Sequence, residues 1–219
     1  EEIKKGRLLL KKGTVLNPAA LGVLATFGYS NVPVYQKPKV TILATGSELI
    51  APGKKLSSGK IYDSNSWMVR SALLQMGIEP LHVLTLQDKM KQVQNAVRKA
   101  LGESDYLILL GGVSVGDYDV VKEALAREGV KTIFWRVSQK PGKPMFLGKK
   151  GKKIIFGLPG NPAAVFTCFY EYVYPALLKS LGHVRPELKK KTVRVKSPVF
   201  ADSKRHLFLK AKISKNSLS

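Results

Sequence analysis

The chain alternates between two hydrophobic patterns. Strands of five or six residues are expected at Val40–Ala44, a continuous apolar run, and at Leu81–Leu86, Tyr106–Leu110 and Thr132–Val137. Between them lie segments with apolar residues three and four apart. Asn65–Met76 carries Val69, Leu73 and Met76 on one face, with Gly77 as its stop, and a second segment carries Met90, Val93, Val97, Ala100 and Leu101, with Asp88 as its expected N-cap. A third helix is expected over Val120–Arg127, and a long one from Pro162 to Leu181, ended by Gly182. Phe146-Leu147 and Ile154–Phe156 flank a Gly-Lys-Lys-Gly-Lys-Lys stretch and predict a hairpin with a basic tip. Tyr106–Leu110 is too apolar to alternate, which is the pattern of a strand covered on both faces. Strand–helix–strand order then predicts an α/β fold: three layers, a doubly wound, mostly parallel sheet, right-handed crossovers.

The pattern divides the chain into three parts. Residues 1–37 hold a possible strand at Arg7–Leu10, a helix opened by Asn17-Pro18 and closed at Gly28, and an extended piece at Val32–Tyr35. This part is too small to fold alone and is expected to be a partial N-terminal segment. Residues 38–183 form the α/β domain. Residues 184–219, after Arg185-Pro186, hold two strand-like runs, Thr192–Lys196 and Leu207–Ile213, and are expected to be the start of a truncated C-terminal β-domain.

Composition and charge narrow the function. The chain has 219 residues, 44% hydrophobic and 24% charged, enough to bury a core. No apolar run of roughly 18 residues occurs, so no membrane span is expected. Cys168 is the single cysteine, which excludes an internal disulfide and a multi-cysteine zinc site, and the three histidines are scattered. With no signal-peptide pattern at Glu1-Glu2-Ile3-Lys4-Lys5, a cytoplasmic location is expected. The net charge of +22 divides as +4 over residues 1–38, +9 over 39–183 and +9 over 184–219. Such a field draws polyanions, phosphorylated ligands or oxyanions. It also suits a lysine-rich solvated surface. No sequence-specific nucleic-acid motif accompanies it, and no such binding is expected.

In an open α/β sheet, ligands bind beyond the carboxyl ends of the strands. The segments that follow the predicted strands are Thr45-Gly46-Ser47-Glu48, Gln87-Asp88, Gly111-Gly112-Val113-Ser114-Val115-Gly116-Asp117-Tyr118-Asp119, Lys140-Pro141-Gly142-Lys143-Pro144 and Gly157-Leu158-Pro159-Gly160-Asn161-Pro162. Each carries glycine, a carboxylate or lysine. Glycines let backbone N–H groups approach an anion, and Asn161-Pro162 opens a helix whose positive end favours one. Lys140 and Lys143 add point charges between two prolines. Glu48, Asp88 and Asp119 are hard oxygen donors of the kind Mg²⁺ takes. The residues thus describe an anion-and-metal cleft. Each also has a structural reading: Asp88 as a cap, Asp63-Ser64-Asn65 as a helix start, Cys168 as a small buried side chain.

Five motifs in order carry a resemblance: Thr45-Gly46-Ser47-Glu48-Leu49, the Gly59–Asn65 stretch, the Gly111–Asp119 loop, Lys140-Pro141-Gly142-Lys143-Pro144 and Leu158-Pro159-Gly160-Asn161-Pro162. The chain resembles the molybdopterin molybdenumtransferases, the MoeA and gephyrin E-domain family, from residue 1 to about 213. The resemblance implies insertion of molybdenum from molybdate into adenylated molybdopterin, with release of AMP and help from Mg²⁺. It implies catalytic roles for Glu48, Asp88 and Asp119, with Glu48 and Asp119 at the metal or molybdate. It implies that Arg136, Lys140 and Lys143 form the basic side of the pocket around Gly142, and that Pro159, Gly160, Asn161 and Pro162 shape it. Thr45, Gly46, Ser47, Asp63, Ser64, Asn65, Gly111, Gly112, Val113 and Ser114 would contact pterin or phosphates. A homodimer is implied, as is a pathway partner that adenylylates molybdopterin. Full family members are nearly twice this length, so a shortened chain is expected.

Two alternatives keep the fold. One is adenylyl transfer to molybdopterin, whose family usually carries Gly-Gly-Thr-Gly where this chain reads Gly112-Val113-Ser114-Val115-Gly116. ATP consumption with pyrophosphate release would favour it. The other is a non-catalytic binding or scaffold module, marked by polyanion binding that survives high salt.

Overall fold

The computed structural model describes residues 3–112, 120–200, 204–214 and 217–218. Thirteen strands occur among them. Six form the central sheet: β1 (Val40–Thr45), β4 (His82–Leu86), β5 (Tyr106–Leu110), β6 (Lys131–Trp135), β8 (Phe146–Lys150) and β9 (Lys153–Leu158). Their order is β4-β1-β5-β9-β8-β6. β4, β1, β5 and β9 run parallel, and β8 pairs antiparallel with both β9 and β6. The sheet is therefore mixed α/β and mostly parallel, as the strand–helix alternation predicts.

The two faces of the sheet bury different helices. All six residues of β1 are buried. Ile42 and Ile108 point to one face, where they meet Val69 and Leu73 of α2 (Ser64–Gln75) and Val165 of α5 (Pro162–Cys168). Leu43, Leu107 and Leu109 point to the other, against Val93 and Val97 of α3 (Met90–Glu103) and Leu125 of α4 (Val120–Arg127). Successive residues on opposite faces is the period of a strand, and here both faces are apolar.

Two helix starts follow from local chemistry. Asn17 caps α1 (Pro18–Thr26) by accepting from the Ala20 amide at 2.9 Å. Asn161 caps α5 by accepting from the amides of Ala163 and Ala164. Pro sits next in both, where no N–H is needed. Gly28, Gly77 and Gly182 end helices with positive φ, the conformation a glycine adopts without strain.

Several expectations are corrected. Arg7–Leu10 is not a strand. Asp88 does not cap α3: Lys89 occupies that position without a side-chain bond, because the Asp88 carboxylate is engaged across the sheet by Ser47. The long helix is interrupted: a π-helical turn spans Phe169–Val173, and α6 (Tyr174–Ser180) follows. Pro175 lacks the N–H that the Glu171 carbonyl would need in an unbroken α-helix. The strand expected over Leu207–Ile213 is two short pieces, β11 (His206–Leu207) and β12 (Ile213–Ser214), and that over Thr192–Lys196 shrinks to β10 (Arg194–Val195). β10 and β12 both pair with β13 (Ser217–Leu218). β11 docks parallel on β7 (Gln139–Lys140), in the segment after β6. Tyr35 packs against the end of α6: its ring lies where a Cβ on Gly182 would stand.

Candidate functional site

The carboxyl ends of β1, β4, β5 and β9 lie side by side, with Thr45 opposite Leu86, Ala44 opposite Leu110, and Leu110 opposite Leu158. β6 ends at the same edge, since Trp135 pairs with Phe146 and Phe146 with Gly157. The described parts of the segments singled out in the sequence therefore leave the sheet at one edge.

The β1 and β4 segments are stitched to each other. The Gly46 amide donates to the Leu86 carbonyl at 3.1 Å. The Ser47 amide donates to Asp88 Oδ2 at 2.9 Å, and the Asp88 amide donates to Ser47 Oγ at 3.3 Å. Lys60 Nζ donates to the Ser47 carbonyl at 2.5 Å. This holds the turn that carries Glu48. Its carboxylate folds back over Gly46, so that a Cβ there would stand 2.8 Å from Glu48 Oε1. No donor among the described residues bonds to that carboxylate.

A short parallel ladder joins this turn to α2. β2 (Leu49–Ile50) pairs with β3 (Ile61–Tyr62), and the Ile61 and Asp63 amides donate to the carbonyls of Glu48 and Ile50. Asp63, only 4% exposed, then caps α2. It accepts from the Ser66 amide (3.0 Å), Ser66 Oγ (2.6 Å) and Thr85 Oγ1 (3.0 Å). Its carboxylate is thus committed to structure, as the helix-start reading of Asp63-Ser64-Asn65 anticipates. Asn65 donates through Nδ2 to the Gly160 carbonyl at 2.8 Å and so ties α2 to the segment after β9.

Gly111 and Gly112 follow β5 with φ of +78° and +63°. A Cβ on Gly111 would lie 2.6 Å from the Thr45 carbonyl oxygen; one on Gly112 would lie 2.4 Å from Thr45 Oγ1 and from Val121 Cγ2. Only glycine fits both the backbone conformation and the space.

These elements enclose a cavity of about 660 Å³. Thr45, Gly46, Glu48, Asp63, Ser64, Asn65, Asp88, Gly111, Gly112, Pro159, Gly160, Asn161 and Pro162 line it. The helices α2 and α5 begin at its wall, through Ser64 and Pro162, and Val120 and Val121 of α4 also line it. The start of α5, capped by the neutral Asn161, favours an anionic ligand, whereas the Asp63 carboxylate already occupies the start of α2. Two buried polar atoms in the wall, Thr45 Oγ1 and Asn65 Oδ1, have no hydrogen-bond partner among the described residues, and a ligand can supply one.

The other residues singled out in the sequence lie elsewhere. Ser47 is behind the wall, in the Asp88 lock. Arg136, Lys140, Gly142 and Lys143 do not line the cavity; Pro144 of the same loop does. Arg136 has φ +79° and lies 5.5 Å from the centre of the Trp135 ring, which Lys122 Nζ also approaches, at 4.0 Å. Val113, Ser114 and Asp119 lie outside the described residues. Sequence reasoning missed Tyr62, Val120 and Val121 as wall residues; the valines carry no chemical signal for a site, and the Tyr62 hydroxyl donates to the Lys54 carbonyl.

Residues 41–179 match the family model of the probable molybdopterin binding domain. The chain belongs to this family. It is 41% identical over 182 residues to the molybdopterin molybdenumtransferase of Staphylococcus epidermidis, covering 83% of this chain and 43% of that one. It is 38% identical, again over 182 residues, to that of Haemophilus influenzae, covering 83% and 45%. A solved molybdopterin biosynthesis MoeA protein from Pyrococcus horikoshii superposes with a TM-score of 0.83 at 32% identity, over 99% of this chain and 53% of that one. A molybdenum cofactor biosynthesis protein from Pyrococcus furiosus gives 0.69 at 25%, over 100% and 68%. The chain spans less than half the length of the curated relatives it matches. The cavity walls from Ala44 to Pro162 fall inside the matched family domain.

Proposed function

We propose that this chain binds adenylated molybdopterin in the cavity at the strand ends and takes part in inserting molybdenum from molybdate at the dithiolene, with release of AMP. The observation that carries this reading is the convergence of the α2 and α5 starts, the Gly111-Gly112 turn and the Glu48 and Asp88 carboxylates on one space of about 660 Å³. The helix starts and the Gly111-Gly112 turn offer donors to phosphate oxygens. The exposed Arg136, Lys140 and Lys143, on the loop that also contributes Pro144, supply cations for a ligand of high negative charge. Asp88 keeps the Glu48 turn in place through its bond to the Ser47 amide.

The donor set suits Mg²⁺. That ion is commonly bound by one or two carboxylates with substrate phosphates and water. Glu48 presents a carboxylate that is not tied to a neighbouring donor, and no group of three or more His, Cys, Asp or Glu that could hold a metal occurs among the described residues. Glu48 with Asp119 would hold the ion, which would neutralise phosphate oxygens and so ease departure of AMP. The same reading takes residues 1–37, 38–183 and 184–219 as separate parts, a homodimer as the working unit, a pathway adenylyltransferase as the source of the substrate, and the cytoplasm as the compartment. No helix among the described residues is long and apolar enough to cross a membrane.

The test is isothermal titration with AMP plus molybdate, with and without Mg²⁺, for the wild type and Asp119→Ala at two salt concentrations. Saturable binding that needs both Mg²⁺ and Asp119 is the expected result. A folded chain that binds neither ligand sinks the proposal.

A further inference from the structure

The loop between β6 and β8 has two sides. Arg136, Lys140 and Lys143 are exposed, whereas Gln139, Gly142 and Met145 are buried. Its neck is closed by backbone bonds from Arg136 to Met145 (2.8 Å) and from Val137 to Lys143 (3.0 Å). The buried side is held by a polar network unusual for its depth. Gln139 is 2% exposed. Its Nε2 donates to the Pro141 carbonyl at 3.0 Å and approaches Cys168 Sγ at 3.5 Å, and its Oε1 accepts from the Tyr172 hydroxyl. The Cys168 thiol faces the Gly142 carbonyl at 3.8 Å. Gly142, with φ +96°, leaves no room for a Cβ, which would stand 2.6 Å from Cys168 Sγ and 2.7 Å from Gln139 Nε2. Tyr172 belongs to the π-helical turn, and such turns re-aim a side chain within a helix. The Gln139 backbone meanwhile carries β7, on which β11 docks.

We propose that Gln139 is a positioning residue: clamped from beneath by Tyr172 and Cys168, it fixes the arch that presents Lys140 and Lys143 at the carboxyl edge of the sheet. A buried amide with both of its polar ends engaged has one low-energy orientation, and leaving it unpaired is unfavourable. The arch is thus preorganised, so an anion meeting it need not order two long side chains on a loose loop. This inference rests on the anionic-ligand reading above.

The test uses the full chain and the Tyr172→Phe variant, which removes one hydroxyl and no ring. Hydrogen exchange of the 139–145 peptide, read without ligand, is expected to accelerate at least about threefold, while the sheet strands stay unchanged. Binding of inorganic pyrophosphate is expected to weaken by about fivefold, the loss of roughly one hydrogen bond. In the Lys140→Ala/Lys143→Ala background the same substitution should weaken binding no further, because its effect acts through those lysines. Unchanged exchange over 139–145 in a folded variant overturns the clamp. An equal loss of binding with and without the lysines overturns the positioning role. If the wild type binds no pyrophosphate while exchange still rises, the clamp stands as a loop anchor, and the anionic reading of the cavity and the positioning role fall together.

Discussion

Gly111 and Gly129 form a matched pair in which the role of the strand-end turn can be measured. Both have positive φ, +78° and +72°. Alanine at either position must adopt a left-handed backbone, a penalty of about 1–2 kcal/mol, partly offset by about 0.4–1 kcal/mol from a less flexible unfolded chain. Gly129 has nothing within 4 Å of a built Cβ, so Gly129→Ala should destabilise by about 1 kcal/mol. At Gly111 the Cβ would stand 2.6 Å from the Thr45 carbonyl oxygen. That atom is backbone in β1, which is paired on both sides, and has no rotamer to change. Overpacking of this kind adds about 1–3 kcal/mol. Urea unfolding followed by circular dichroism should therefore separate the two variants by about 1–3 kcal/mol, or by roughly 2–12 °C in midpoint temperature for a chain of this length. Equal stability of the two variants would refute the claim that Gly111 is required for close approach to β1.

Asp63→Ala removes an N-cap and two further hydrogen bonds to a buried carboxylate and should destabilise the fold by about 2–4 kcal/mol, measured by urea denaturation; a loss under about 0.5 kcal/mol would show that water replaces the network. The Arg98 side chain, then Gln94, hydrogen-bond Glu128 and hold its carboxyl below the ordinary value of 4.5, against the burial that raises it. A carboxylate lowered on folding stabilises above its unfolded value and loses that contribution as pH falls through the folded one. Stability should thus decline toward low pH, and less steeply in Glu128→Gln; equal pH slopes would refute this. Burial pushes the Cys168 thiol up to about 12, so the native chain should resist a thiolate-selective disulfide reagent at about pH 8 and react fully once unfolded; rapid native labelling would contradict the buried position.

Features set by neighbours along the chain are legible in the sequence alone. The apolar runs mark β1 and β5 because strands covered on both faces need no alternation. Asn17-Pro18 and Asn161-Pro162 mark helix starts because a cap bonds to amides two or three residues on. The gathering of loops on one edge follows from strand–helix–strand order, which makes the strands parallel and aligns their carboxyl ends.

What depends on distant partners is not legible there. Asp88 has the sequence of a cap, yet an amide 41 residues away takes its carboxylate. Asp63 and Glu48 look alike as carboxylates in motifs; one is spent on three hydrogen bonds and the other is not. Gln139 carries no signal at all, since two of its three partners are a thiol and a hydroxyl about 30 residues further along the chain. The order β4-β1-β5-β9-β8-β6 and the docking of β11 on β7 are likewise decided by tertiary structure. Propensity and capping act over a few residues, whereas the pairing of strands and the commitment of a buried polar group are chosen by whichever distant surface excludes water around them.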